Sequence, residues 1–250
     1  MKKLLNVGCG FNCHKDWINL DLHKSKYVDY YNIKNKLPFK DGSLDVIYHS
    51  HVLEHLDKLL ARKFIADCYR VLKKGGIIRI AVPDLEIICL EYLKHLKRGY
   101  DDNDKKSVLN YQWNKLELFD QLLRQKKGGE TLSALRKGEF NFNYVLRRNG
   151  EEIERLLRHT QKKNNKIYCF LRGVVDLFKN TNPQKSGEAH RWMYDRLDLK
   201  ILLESAGFRN FKIMRYDKSK IKNWNKYALD KVKNKNRPRK PDSIFCEAEK

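Results

Sequence analysis

Residues 4–22 read LLNVGCGFNCHKDWINLDL, an apolar run that breaks into Gly8-Cys9-Gly10 and reaches a second apolar run ending in Asp21. Leu4, Leu5 and Val7 suit a buried parallel strand. Gly8 and Gly10 let the chain turn sharply and bring its backbone close to a ligand with no Cβ in the way. Trp17, Ile18 and Leu20 predict the next strand, with Asp21 at its carboxyl end. Open α/β sheets place ligands at that end, where an acid can accept hydrogen bonds from ribose hydroxyls. The stretch therefore reads as a nucleoside site.

Downstream come Leu37-Pro38-Phe39, Leu44-Asp45-Val46-Ile47-Tyr48, His51-Val52-Leu53-Glu54-His55-Leu56, Arg70-Val71-Leu72-Lys73-Lys74-Gly75-Gly76 and Ile78-Arg79-Ile80-Ala81-Val82-Pro83. In that order and spacing they resemble the class I S-adenosylmethionine-dependent methyltransferases, closely in the first third of the chain and loosely near its end. Among these enzymes the chain is most similar to small ones encoded with bacterial surface-polysaccharide genes, partly because so few residues separate the glycine turn from Asp21. The usual first helix must then be short or irregular. The resemblance implies an S-adenosylmethionine cofactor, with Gly8, Cys9 and Gly10 at its amino-acid and ribose portions. Asp21 and Leu22 would meet the ribose, Asn32 and Ile33 the adenine, and His49 would line the cofactor. Asn32 stands where such enzymes usually carry an aspartate, and Asn6 replaces a frequent acid in the first motif.

With 250 residues and 41% hydrophobic content the chain can bury a substantial core, which argues against wholesale disorder. Six scattered cysteines, including Cys9 and Cys13 without a second pair, point to reduced thiols in a cytoplasmic protein. The apolar run after Met1-Lys2-Lys3 stops at Asn6, too soon for a signal peptide, and no run is long enough to span a membrane. The net charge of +22 divides into +5 over residues 1–90, +9 over 91–185 and +8 over 186–250, so most of it lies outside the cofactor half. Such a field would attract nucleic acid, an anionic lipid surface in peripheral contact, or phosphorylated substrates, and a solvated lysine surface would look the same.

Strands are expected at residues 27–33, 45–48 and 77–82, and a helix carrying Leu59, Ile65, Ala66 and Leu72 is expected to stop at Gly75-Gly76. Alternation of strand and helix implies a parallel sheet. The predicted class is α/β: a Rossmann-like, mostly parallel seven-stranded sheet with an antiparallel edge strand, as the resemblance implies, and a helical insertion. Residues 84–98 predict an amphipathic helix with Leu85, Ile88, Cys89, Tyr92, Leu93 and Leu96 on its apolar side. Residues 1–98 form the cofactor half. An insertion over 99–185, with helices near 107–126, 130–137 and 151–163, caps the cofactor and selects the acceptor. Its aromatics, among them Trp113, Phe119, Phe142 and Tyr144, read as packing. Residues 186–250 return to the first domain through a helix from Asp195 to Ala206 and closing strands at 211–216 and 244–248. The basic segment 218–240 between them is expected as an exposed loop or helix with Trp224 and Tyr227 as anchors.

Methyl transfer to a hydroxyl needs the acceptor oxygen in line with the methyl group and a base for its proton. Imidazole, mostly neutral at pH 7, suits that role, and His51 and His190 are the candidates. His51, Glu54 and His55 would share one face of a helix and so could offer ligands to a divalent metal. Magnesium-dependent relatives carry Glu-x-x-Glu-His there, so His51 in place of the first acid disfavours such a cation, and no metal is assigned. The expected reaction is O-methylation of a sugar or other small polar metabolite, a surface glycan or its precursor. The alternatives are an RNA methyltransferase, favoured by the charge, and a catalytically silent S-adenosylmethionine-binding scaffold.

Overall fold

A computed structural model of the chain describes residues 2–151, 153–154, 156–157 and 189–250. The described residues fall into two compact units, the first comprising Met1–Asp84, Arg191–Pro238 and Ser243–Lys250, the second Leu85–His190 and Arg239–Asp242. The helix expected at the end of the cofactor half therefore opens the second unit instead.

The first unit is built on a seven-stranded sheet in the order β3-β2-β1-β4-β5-β7-β6. Its strands are β1 (Leu4–Val7), β2 (Ile18–Asp21), β3 (Asp29–Tyr30), β4 (Leu44–Ser50), β5 (Leu72–Pro83), β6 (Arg209–Met214) and β7 (Ser243–Glu249). The first five run parallel, and β7 is antiparallel to both β5 and β6. This is the Rossmann-like, mostly parallel sheet expected. Strand order reverses between β1 and β4, so a crevice opens beyond their carboxyl ends, where sheets of this kind hold ligands. Two short elements mark its rim, the glycine turn after Val7 and the bend at His51.

On one face, helices α1 (Lys58–Val71) and α6 (Arg196–Ser205) bury Phe64, Ile65, Cys68, Leu199 and Leu203 against Leu5, Ile47, Ile78 and Ile80. Asp57 caps α1 by accepting from the Leu60 N–H at 2.8 Å, and Asp195 caps α6 by accepting from the Leu197 and Asp198 N–H groups. The expected stop at Gly75-Gly76 is wrong in detail. Helix α1 ends at Val71, and the glycines belong to β5, where register slips between the Leu44–Leu72 and Val46–Ile77 pairs. A Cβ on Gly76 would lie 2.9 Å from the Lys73 carbonyl, so the irregular strand, not the helix end, demands the glycine. The expected third strand is also cut to two residues, since Asn32 leads into a turn that closes on its own carbonyl.

On the opposite face lies a second core of Trp17, Tyr48, Ile221, Trp224 and Leu229. The basic segment 218–240 supplies Ile221, Trp224 and Leu229 to it, so it is not a free loop. Its one acid, Asp230, is buried and accepts from Arg79 Nε at 2.8 Å and from the Tyr48 hydroxyl at 2.6 Å. Arg79, fully buried on β5, also donates to Glu247 at 2.7 Å and to the Arg215 and Lys218 carbonyls, and stacks 4.4 Å from the Trp224 ring. Burial pulls the guanidinium pKa down, but the Asp230 and Glu247 charges outweigh it and leave the pKa raised. The expected anchors Trp224 and Tyr227 both pack on Trp17, at 6.2 and 5.3 Å between ring centroids, and they open the short helix α7 (Trp224–Tyr227) and close it.

The second unit contains α2 (Leu85–Asp101), α3 (Lys105–Leu123), α4 (Gly129–Lys137) and α5 (Phe142–Asn149), packed around Trp113, Leu135, Tyr144, Val145 and Ile153. Helix α5 was not expected; the helix expected over 151–163 falls largely outside the described residues. On α2 the expected apolar side is only partly buried: Ile88 is buried together with His95, while Leu93 and Leu96 are exposed. A histidine can take that place because Ser107 Oγ, 3.1 Å from Nδ1, and the Glu91 carboxylate, 3.3 Å from Nε2, serve both ring nitrogens. Of the aromatics expected to pack, Trp113 and Tyr144 do, whereas Phe119 and Phe142 stay half exposed.

Removing one partner from the Arg79 cluster should strand a buried charge, so Asp230→Ala should lower unfolding free energy by about 3–5 kcal/mol. Urea denaturation of the variant against wild type measures it, and a loss below about 1 kcal/mol would show that the remaining Glu247 contact suffices.

Candidate functional site

The link between β1 and β2 contains turns and no helix, as the short spacing required. Asparagine side chains replace the helix as the backbone's hydrogen-bond partners. Buried Asn6 donates to the Asn12 carbonyl at 3.0 Å and to Asn19 Oδ1 at 3.2 Å, while Asn19 Nδ2 reaches the carbonyls of His14, Trp17 and Tyr27. An acid at position 6 could not donate to Asn12, so the departure noted in the first motif has a structural use.

The glycine turn is held from β2. The Gly8 and Cys9 N–H groups donate to the Leu20 carbonyl, and the Gly10 N–H donates to Asp21 Oδ2 at 2.8 Å. Asp21 Oδ1 accepts from the His23 N–H at 3.1 Å. Each carboxylate oxygen thus serves the chain once and keeps a further lone pair. Both glycines have positive φ, +64° at Gly8 and +51° at Gly10. They are needed for different reasons. A Cβ on Gly8 would overlap the Val52 side chain, whereas one on Gly10 would meet no protein atom within 4 Å, so the space beside Gly10 is open to a ligand. Cys9 is buried between them, and desolvation with the nearby Asp21 charge pushes its thiol up to about 12, which keeps it an unreactive thiol.

Leu22 is half exposed beyond Asp21, and Asn32 and Ile33 are partly exposed after β3. Asn32 Oδ1 accepts from the Lys34 N–H at 3.0 Å. His49 departs from expectation. It has no exposed surface, its ring lies 5.4 Å from Phe64 in an edge contact, and neither nitrogen finds a hydrogen-bond partner among the described residues. Residues alternate across β4, so His49 shares the α1 face with Ile47 and cannot line an open cleft. Burial holds its pKa down at about 3, leaving it neutral.

His51 is part of the crevice. Its backbone sits in the left-handed region at φ +55°, pinned by its N–H to the Ala81 carbonyl at 2.8 Å. Its Nδ1 lies 3.1 Å from Glu54 Oε1 and its Nε2 lies 2.8 Å from Ser243 Oγ. Glu54 is fully buried, and its carbonyl accepts from the Arg191 and Trp192 N–H groups. The convergence of His51, Glu54 and His55 comes from a 3-10 turn, Leu53–His55, and not from a longer helix; His55 Nε2 stands 4.0 Å from the same Glu54 oxygen. His190 belongs to the second unit, where it is buried and its N–H donates to the Gln121 carbonyl at 2.9 Å. Ser243 carries no signal in the sequence, being a serine at a strand start. The exposed ring of Phe11, at the edge of the glycine turn, was equally unforeseen.

Residues 17–80 match the family model described as Methyltransferase domain. A probable S-adenosylmethionine-dependent methyltransferase of Mycolicibacterium smegmatis is 38% identical over 50 residues, a stretch that spans 20% of this chain and 18% of that protein. Among solved structures, S-adenosylmethionine-dependent methyltransferases from Archaeoglobus fulgidus and Thermotoga maritima align over the whole chain at 16% and 14% identity, covering 86% and 83% of those chains with TM-scores of 0.44 and 0.42. Among the described residues no helix is long and apolar enough to cross a membrane. Among the described residues Cys9, Cys13, Cys68 and Cys246 are free thiols.

The buried neutral His49 makes stability pH-dependent. Its pKa is near 6.5 when unfolded and about 3 when folded, so between those values the unfolded chain binds the extra proton. Wild-type stability should fall as pH drops below about 6.5, and a His49→Leu variant should fall less steeply between pH 6 and 4, with the difference in slope readable from urea titrations at each pH.

Proposed function

We propose that the chain is an S-adenosylmethionine-dependent methyltransferase that methylates a hydroxyl of a sugar or other small polar metabolite, such as a surface glycan or its precursor. The observation that carries this reading is the arrangement at the β1/β4 crevice: an open glycine turn beside Asp21, and an imidazole nitrogen 2.8 Å from a hydroxyl oxygen. The residues present fit the cofactor, since the space beside Gly10 is free of protein and Asp21 retains acceptor capacity for a ribose diol. Gly8, Cys9 and Gly10 would hold its amino-acid and ribose portions, Asp21 and Leu22 the ribose, and Asn32 and Ile33 the adenine. When bound, it supplies a sulfonium methyl, and the sulfur keeps the bonding pair as the acceptor oxygen takes the carbon.

His51 is the base that removes the acceptor proton. Its Nε2 already approaches a hydroxyl in the resting protein, and its ring is fixed from the other side by Glu54. Fixing the ring in advance lowers the entropic cost of reaching the reactive geometry. A second reading, methylation of RNA, is favoured by the net charge of +22, and binding that vanishes above physiological salt without sequence preference would count against it.

Asp21→Ala should weaken S-adenosylmethionine binding by about 2–3 kcal/mol, because charge-assisted hydrogen bonds are lost and the Gly10 turn loses its brace. Gly10→Val should weaken it comparably by filling the open space with a branched side chain at positive φ. Calorimetry on folded variants decides, and unchanged affinity in both would remove the nucleoside site. His51→Ala should slow turnover by about 10²–10⁴-fold with cofactor affinity unchanged. The acceptor for that assay is the glycan or metabolite that mass spectrometry finds one methylene lighter in cells lacking the gene. Wild-type turnover in His51→Ala with a loss in His190→Ala would move the role to His190.

A further inference from the structure

We propose that Glu54 is a positioning residue for His51: its buried carboxylate keeps the imidazole hydrogen on Nδ1, so that Nε2 presents its lone pair, and the Ser243 hydroxyl is the resting partner that the acceptor hydroxyl replaces. The inference rests on the assignment of His51 as the base in the preceding subsection, and it adds to that assignment which nitrogen reacts and what sets it.

The argument begins with donor and acceptor capacity. Glu54 Oε1 lies 3.1 Å from Nδ1, at ion-pair distance, and an ionised Glu54, which can only accept, favours the hydrogen on the ring nitrogen that faces it. A neutral imidazole has one N–H, which leaves Nε2 as an acceptor. Ser243 Oγ, 2.8 Å away, then donates its O–H to Nε2. In the proposed reaction the acceptor's O–H bond would break and its proton pass to Nε2, while the oxygen forms the new C–O bond and the methyl's bond to sulfur breaks with its electron pair left on the sulfur. The imidazolium that results sits against the Glu54 charge, in a pocket where Glu54 is fully buried and the coupling is little weakened by water.

Three features separate this arrangement from a chance contact. Glu54 lies on a 3-10 turn whose carbonyl is held by both the Arg191 and Trp192 N–H groups, so its side chain departs from a fixed backbone. His51 is held in a left-handed conformation, uncommon outside glycine, which turns its ring toward the turn that follows. Ser243 begins β7 opposite Pro83, two residues beyond the Ala81 carbonyl that pins the His51 backbone, so one sheet register fixes both the His51 backbone and its hydroxyl partner.

The test is ring-nitrogen magnetic resonance on protein labelled with ¹⁵N-histidine, with the His51 signals among the eight histidines assigned by their absence from His51→Ala. The wild-type spectrum should show a protonated Nδ1 and an unprotonated Nε2. In Glu54→Gln the ratio of the two tautomers should move by about tenfold or more toward the Nε2–H form, because the amide can donate as well as accept. Ser243→Ala should leave Nδ1 protonated. A protonated Nε2 in the neutral wild-type ring would overturn the proposal, as would an unchanged tautomer ratio in folded Glu54→Gln. The wild-type spectrum is decisive even if Glu54→Gln does not fold. Full turnover in His51→Ala, with Nδ1 found protonated in wild type, would instead sink the base assignment of the preceding subsection.

Discussion

Arg79 is a fully buried cation on a central strand, and the first unit depends on how its charge is met. A lone guanidinium in such a place would cost several kcal/mol, so carboxylates must come to it. Glu247 arrives from β7, the neighbouring strand, and Asp230 from the segment that follows β6. Meeting that requirement brings the chain from Lys218 to Asp230 down onto the sheet, where Trp224 covers the guanidinium and packs on Trp17 and Tyr48. Glu247 is satisfied in turn by the Ser219 hydroxyl and the Lys220 N–H. The lysines of this segment add to the positive charge while its apolar and acidic residues hold it in place.

Beyond the carboxyl ends of β1 and β4, polar groups are fixed in a different way. The glycine turn has no helix behind it, and its order comes from side chains that act as backbone substitutes: Asn6 and Asn19 within the link, and Asn12, whose amide donates to the Leu229 carbonyl at 2.7 Å. That last contact joins the glycine turn to the segment ordered by Arg79. Asp21 completes the brace by holding Gly10. A turn fixed before its ligand arrives loses less freedom on binding.

The two histidines on β4 and its exit show how environment decides chemistry. His49 and His51 are two residues apart, yet one is sealed against Phe64 as a neutral core residue and the other is fixed between a carboxylate and a hydroxyl. Alternation along the strand would give both the same face, and the chain breaks that alternation at His51 by entering the left-handed region.

The sequence by itself determined the parts whose signals are contiguous. The apolar run, glycine turn, second strand and Asp21 follow one another within residues 4–22, and each local preference agrees with the next. The antiparallel closing pair came instead from the family resemblance, since no contiguous signal sets the direction in which two distant strands pair. Tertiary structure alone decided the rest. Ser243 stands beside His51 although 192 residues separate them, and Asp230 meets Arg79 across 151. Such pairings depend on the register in which β7 enters between β5 and β6, and side-chain periodicity within one segment carries no information about its partner's register. The burial of His49 and the exposure of Leu93 and Leu96 were hidden likewise, because a pattern of apolar residues shows which ones could be buried, while packing against neighbouring elements settles which ones are.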